Sequence, residues 1–413
     1  MNHNSTIIES NSIKAILDQN KSSYIFLFPI LLLIASYYKY QNESKSKSNT
    51  ITKSKASASK MDQRPFGFWE PDLKWKTPTP KVYENWSIKD TKPIPYRAFK
   101  HKYNVNMGIR NMSWDSWIEL DNQWKYYHDM KLKRIEEKGE DVWRISSKAI
   151  EASWEFLYEL IDFTTVRYPT LFKYDKEKKI LRITETNQTF DLNDKNLNPI
   201  ITAANLVQDE LVIMIEDPKD GQYSLEAGCV TMAGFWKFKE KYQMKLDEIH
   251  YSGNVPKYST NLGPAMNKFF RRLTLDSPVV RNNYFIQLDN HLDWSKSIGD
   301  EDSEKVGWNA ATNATSVKDL WFRSERQSVR RLPKTGAIAF TIRTYFMPIT
   351  EMCEEPFVPR RLLNGITSWE EDVNEYRGFY KFKDVLLPYL QKKAKEQEAN
   401  GLVLKEEPKN YPF

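Results

Sequence analysis

Residues 323–345 read RSERQSVRRLPKTGAIAFTIRTY. Arg323, Arg326, Arg330, Arg331 and Arg343 share this stretch with a single acid, Glu325. The turn formers Pro333 and Gly336, followed by the apolar run Ala337–Ile342, predict a loop entering a strand. A buried strand has no need of so many guanidinium groups. They imply an anionic ligand, a set of acidic partners or a fixed ion-pair network.

On either side of this stretch the pattern alternates between strands and helices. Leu181–Thr184 alternates apolar and polar, Leu211–Ile215 is a continuous apolar run, and Tyr223–Met232 follows the Asp220-Gly221 turn. Tyr284–Leu288 and Ala337–Phe346 add two more strands. Helical spacing is present over 117–136, 147–163, 264–274 and 367–396. The reading is an α+β fold, an antiparallel sheet with helices set to one side.

The chain of 413 residues has a hydrophobic content of 40% and an aromatic content of 14%, enough for a sizeable core. Its net charge of +6 is uneven. Six lysines and one acid fall within 39–60, which argues against a basic nucleic-acid face on the folded part. Two cysteines, Cys229 and Cys353, allow one bridge and no Cys-based zinc site.

Residues 1–21 are polar, and 22–38 (SSYIFLFPILLLIASYY) form the long apolar run. That run is near the lower limit for spanning a bilayer, and its length also suits a signal-peptide core. Without a small-x-small cleavage site after it, a single transmembrane anchor is the expectation. The lysines following it predict a cytosolic C-terminal part, on an endomembrane or the mitochondrial outer membrane. Residues 39–62 read as a Ser/Lys-rich linker, 63–400 as the folded domain with a Pro/Trp-rich lead-in, and 401–413 as a tail. Asn85, Asn111, Asn187 and Asn313 match the glycosylation pattern, but a cytosolic location leaves them unmodified.

No Walker-type loop, Gly-x-Gly-x-x-Gly, His-Glu-x-x-His or Gly-x-Ser-x-Gly motif is present. Neither ATP nor a resident nicotinamide is expected by these routes. Asp209 and Glu210 lead the apolar strand at 211–215, either as an ordinary acidic pair or as functional carboxylates. Cys229 sits in an apolar strand without a flanking base, which suits a small buried hydrophobe better than a thiolate ligand.

Several blocks in order resemble the haem-dependent oxidative N-demethylase alpha-subunit-like family. They are Met107–Arg110, Val207-Gln-Asp-Glu-Leu211, Gly234-Phe-Trp236 with Ile249-His250 and Val255-Pro256, and then Arg323–Gln327, Arg331–Pro333 and Phe340–Tyr345. The order of the two acids is exchanged relative to the family, and the first proline after His250 is missing. With the N-terminal run, the chain looks like a membrane-anchored member of fungal type. The resemblance implies a PAS-like antiparallel sheet with N- and C-terminal helical additions. It implies haem b, a small amine substrate, O2, and electrons from a separate flavin or iron–sulfur reductase.

His250 is then the expected axial ligand, with His291 in reserve. Arg271, Arg326, Arg330 and Arg331 are the expected propionate partners, and Asp209 or Glu210 would serve substrate or proton delivery. The implied reaction is oxidative N-demethylation by a monooxygenase-type enzyme. The alternatives are a PAS-like haem or ligand sensor and a non-catalytic membrane-attached binding module or scaffold.

Overall fold

The arginine-rich stretch is itself a strand, and it runs into the turn expected at Pro333–Gly336. Trp321–Arg331 pairs antiparallel with Ile338–Pro348 along its whole length. Only Leu332–Ala337 between them is a turn. Gly336 takes a left-handed φ of 71°, with the Trp69 ring filling the space where a Cβ would stand. Glu155 accepts from the Lys334 and Thr335 amides, at 2.6 and 2.9 Å, and fixes the turn from outside.

The computed structural model describes residues 63–97 and 99–409. Residues 61–413 cluster as one compact unit. The expected N-terminus 1–21, anchor 22–38 and linker 39–62 lie outside the described residues, as does the end of the tail. Among the described residues no helix is long and apolar enough to cross a membrane.

Among the described residues ten strands lie in chain order: β1 Arg110–Asn111, β2 Trp143–Ile145, β3 Phe172–Asp175, β4 Ile180–Ile183, β5 Gln188–Asp191, β6 Glu210–Glu216, β7 Tyr223–Cys229, β8 Val279–Gln287, β9 Trp321–Arg331 and β10 Ile338–Pro348. The principal sheet has seven strands in the order β1-β8-β9-β10-β6-β7-β2, all pairs antiparallel, and β3-β4-β5 form a small separate sheet. The helices are α1 Trp124–Lys138, α2 Ile150–Arg167, α3 Pro199–Leu206, α4 Phe238–Lys241, α5 Leu246–Ser252, α6 Gly263–Arg272, α7 Ile349–Met352, α8 Val358–Thr367, α9 Glu371–Tyr376 and α10 Lys383–Ala399. The mixed helix and antiparallel-sheet architecture is as expected. The continuous helix expected over 367–396 is broken, because Gly378 takes a φ of 65° against the Trp308 ring.

Successive residues of a strand face opposite sides, so one register divides the arginines between two layers. Arg326, Arg330 and Arg343 face the layer built from α1, α2, α3 and residues 112–121, with Trp117, Trp124, Phe156 and Leu160 in its core. Arg343 bonds Asp121 at 2.7 Å and lies between the Tyr127 and Tyr345 rings. Arg326 donates to the carbonyls of Ser116 and Trp117 and stands 3.5 Å from Glu119. Arg330 bonds Glu159 at 2.8 Å and stacks 4.4 Å over Trp117. Arg323 and Arg331 face the other layer and hold backbone carbonyls: Met232 and Leu292 for the first, Phe270, Leu273 and Gly336 for the second. The cluster is therefore a fixed network of ion pairs and carbonyls, the third of the readings open to it.

Asp209 belongs to the first layer. Its side chain is fully buried, and neither carboxylate oxygen has a hydrogen-bond partner. Burial raises its pKa to about 6, against the pull of Arg343, Arg326 and Lys131. A folded pKa above the unfolded value makes stability fall as pH rises from about 4 to 6, by on the order of 3 kcal/mol for two units. Asp209→Asn is expected to flatten the unfolding free energy over that window, and a variant profile parallel to the parent's would overturn this assignment. Arg343→Met leaves Asp121 buried without its cation. Its expected cost is about 3–5 kcal/mol in denaturant unfolding, and a cost below about 1 kcal/mol would show that the network does not brace the sheet.

Candidate active-site cleft

The second face of the principal sheet is incompletely covered at its middle. On β9, the first-face side chains of Ser324, Arg326, Ser328 and Arg330 are at most 1% exposed, whereas Glu325 and Gln327 each retain 8%. On β10, Thr341 and Arg343 are sealed, but Ile342 keeps 8% and Phe340 is half-buried. Central strands are the best-shielded part of a sheet, so residual exposure there marks where its cover is thinnest, taken here as the candidate cleft. The register puts Arg281 opposite Gln327, and Asn283 opposite Glu325, on this same face.

The insertion between β7 and β8 forms one wall. Phe238, Leu246, Tyr258, Met266 and Phe270 pack against Val212, Met214, Val329 and Ile338 of the sheet. His250 is carried on α5 and stacks on Tyr258, with ring centroids 4.5 Å apart and planes within 9°. Its Nδ1 lies 2.7 Å from the Leu246 carbonyl, one turn earlier. A carbonyl only accepts, so Nδ1 carries the proton and Nε2 is bare. Burial lowers the His250 pKa, with nearby Arg281 adding to the effect, so the ring is neutral at pH 7.

The opposite wall is aromatic. Phe235, Phe285, Trp308 and Tyr376 form a chain of ring contacts, with centroids 5.2–5.8 Å apart. Tyr376 lies within electrostatic reach of both Glu325 and Arg281. Burial raises its pKa, so it is a phenol at neutral pH.

Groups without protein partners therefore gather here from four elements. Among the described residues no hydrogen bond reaches His250 Nε2 or the Tyr376 hydroxyl. The Arg281 Nε is buried and unpartnered. Glu325 has one oxygen held by Gln327 Nε2 at 2.9 Å and the other without a donor. Buried polar groups are normally satisfied, so such a gathering calls for a ligand. No three His, Cys, Asp or Glu side chains among the described residues converge to hold a bare ion.

Of the residues singled out in the sequence, His250 is at this cleft. Asp209 faces the other side of the sheet, because adjacent residues at a strand's start point oppositely. Glu210 is on the cleft side, opposite Ile342, but its carboxylate is turned to the Thr231 amide at 2.5 Å, and burial raises its pKa. Arg326 and Arg330 are on the far face. Arg331 is on the near side with its guanidinium held by carbonyls, and Arg271 bonds Glu216 at 2.6 Å. Cys229 is buried in the first layer with its thiol pushed up to about 12 by burial, and neither cysteine is bridged. His291 lies in the loop after β8, where its amide donates to Asp289.

Arg281, Gln327 and Tyr376 were not foreseen, and Glu325 was read only as an ion-pair partner. Their signal was alternation: Arg281 interrupts an apolar strand start, and Glu325 and Gln327 stand two apart. A second recess, between Arg134, Lys138, Glu301 and Asp302, has a volume of about 20 Å³, room for one water, and its charges are mutually paired.

Residues 108–387 match the family described as haem-dependent oxidative N-demethylase, alpha subunit-like. The matched region runs from β1 into α10 and contains every group of the cleft. That is well over half of the chain, and the protein belongs to this family.

Proposed function

We propose that the protein is a haem-dependent oxidoreductase of monooxygenase type that removes an N-methyl group from an amine. The observation carrying this reading is the neutral His250, near Arg281, with Nδ1 held by the Leu246 carbonyl and no hydrogen bond to Nε2 among the described residues. That donor fits a haem. His250 would hold the iron, and the bound group would supply O2 activation. The overall change is R2N–CH3 + O2 + 2 e⁻ + 2 H⁺ → R2N–CH2OH + H2O. The hemiaminal then collapses to formaldehyde and the shorter amine. A separate reductase of flavin or iron–sulfur type would supply the electrons.

The chain's own groups bind, orient and shield. The Leu246 carbonyl fixes the His250 tautomer and ring plane, while the Tyr258 stack keeps the imidazole from turning. Phe235, Phe285, Trp308 and Tyr376 exclude water from one side. The free oxygen of Glu325 can accept a proton and the Tyr376 phenol can donate one. Gln327 holds the other Glu325 oxygen and so sets the direction of the free one. The apolar run 22–38, with lysines after it, supports attachment to a membrane with the catalytic part on the cytosolic side.

The test is an absorption spectrum of the full chain expressed with haem supply, oxidised and then reduced with and without CO. A stoichiometric Soret band with a CO shift is expected. His250→Ala should remove the band or convert it to an altered spin state, and added imidazole should restore it. An unchanged spectrum in that variant would transfer the ligand role elsewhere, and folded parent protein without a band would overturn the haem reading.

A further inference from the structure

The cleft carries two opposite charges that do not pair with each other. Arg281 on β8 and Glu325 on β9 face the same side of adjacent strands, one step apart diagonally in the register. Diagonal neighbours stand about 7–8 Å apart at the backbone, within reach of two long side chains. Yet they form no ion pair within 4 Å, and Gln327 rather than Arg281 holds Glu325. The other arginines of β9 and β10 all reach an acid or a carbonyl. An unpaired cation and an unpaired anion side by side in a half-buried cleft are costly unless a ligand brings the complementary charges.

We propose that the substrate is a zwitterion, a small N-methylated amino acid, with its cationic nitrogen at Glu325 and its carboxylate at Arg281. The inference rests on the demethylase reading of the cleft and narrows its substrate. A plain amine satisfies Glu325 and leaves Arg281 half-buried and unpaired. A plain carboxylate does the reverse. Only a ligand with both charges closes the set. The free oxygen of Glu325 takes the ammonium, while Gln327 keeps the carboxylate from swinging towards Arg281. Tyr376 lies within electrostatic reach of Glu325 and offers a ring to the N-methyl cation. Arg281 offers its planar fork to the substrate carboxylate. The haem propionates are the other carboxylates that Arg281 could take, and the experiment separates the two sources.

The full chain is titrated calorimetrically with N,N-dimethylglycine, dimethylamine and acetate, and its haem content is measured from the Soret band. N,N-dimethylglycine is expected to bind at least tenfold more tightly than either single-charge probe. Arg281→Met should reduce it to the level of dimethylamine, with dimethylamine binding and haem content unchanged, and Arg281→Lys should recover part of the loss. Glu325→Gln should weaken both amines and leave acetate unchanged. Equal binding of N,N-dimethylglycine and dimethylamine overturns the proposal. Loss of haem from Arg281→Met also overturns it, and gives Arg281 to a propionate. Parent protein that holds no haem but prefers N,N-dimethylglycine upholds the charge pairing while sinking the oxidative reading.

Discussion

A guanidinium cannot be buried on a central strand without fixed acceptors, and this requirement organises the molecule. Five arginines of β9 and β10 are at most 1% exposed. Each must meet carboxylates, carbonyls or ring faces that cannot move away. The acceptors come from distant parts of the chain: Asp121 and Glu159 from the N-terminal half, Met232 and Phe270 from the insertion, Leu292 from the loop after β8. Satisfying the arginines therefore fixes how these parts dock on the sheet. Ion pairs of this kind add little net stability over an apolar core, but removing one partner is severe. They define one arrangement more than they strengthen it.

The alternation that separates the two layers also separates the two kinds of polar group. On the first face nearly every charge is matched within the protein, and Asp209 is the exception, neutralised in part by its raised pKa. On the second face Arg323, Arg331 and Glu210 are held by the backbone, while the charges at the cleft are left open. His250, Arg281, Glu325 and Tyr376 come from a short helix, two strands and a C-terminal helix, and none is satisfied at its reactive atom. Open groups that gather at one place, rather than scatter through the layers, mark where something else is to be bound.

The family assignment and the cleft agree on the kind of chemistry. On the proposed reading, the neutral imidazole of His250, held at Nδ1, would hold the iron of a bound haem. The aromatic chain from Phe235 to Tyr376 gives the cleft an apolar side. The same strand, β9, braces the core with Arg326 and Arg330 and reaches the cleft with Glu325 and Gln327. Precision at the site then derives from the rigidity of the network behind it.

The sequence by itself determined the fold class, most strands and helices, and the family. These follow from local periodicity, turn residues and short motifs, all carried by neighbours along the chain. It also singled out His250, because a histidine within a block of family residues is locally legible. It placed the turn at Pro333–Gly336 and the strand after it, but left open what the arginines of 323–331 bind, because the acids beside Arg326 and Arg330 are over 150 residues away. Whether Asp209 or Glu325 faces the cleft is a question of strand parity, and whether Arg281 is paired is a question of what packs above it. Only the tertiary structure decides these, because burial and pairing are properties of the assembled layers and not of any segment.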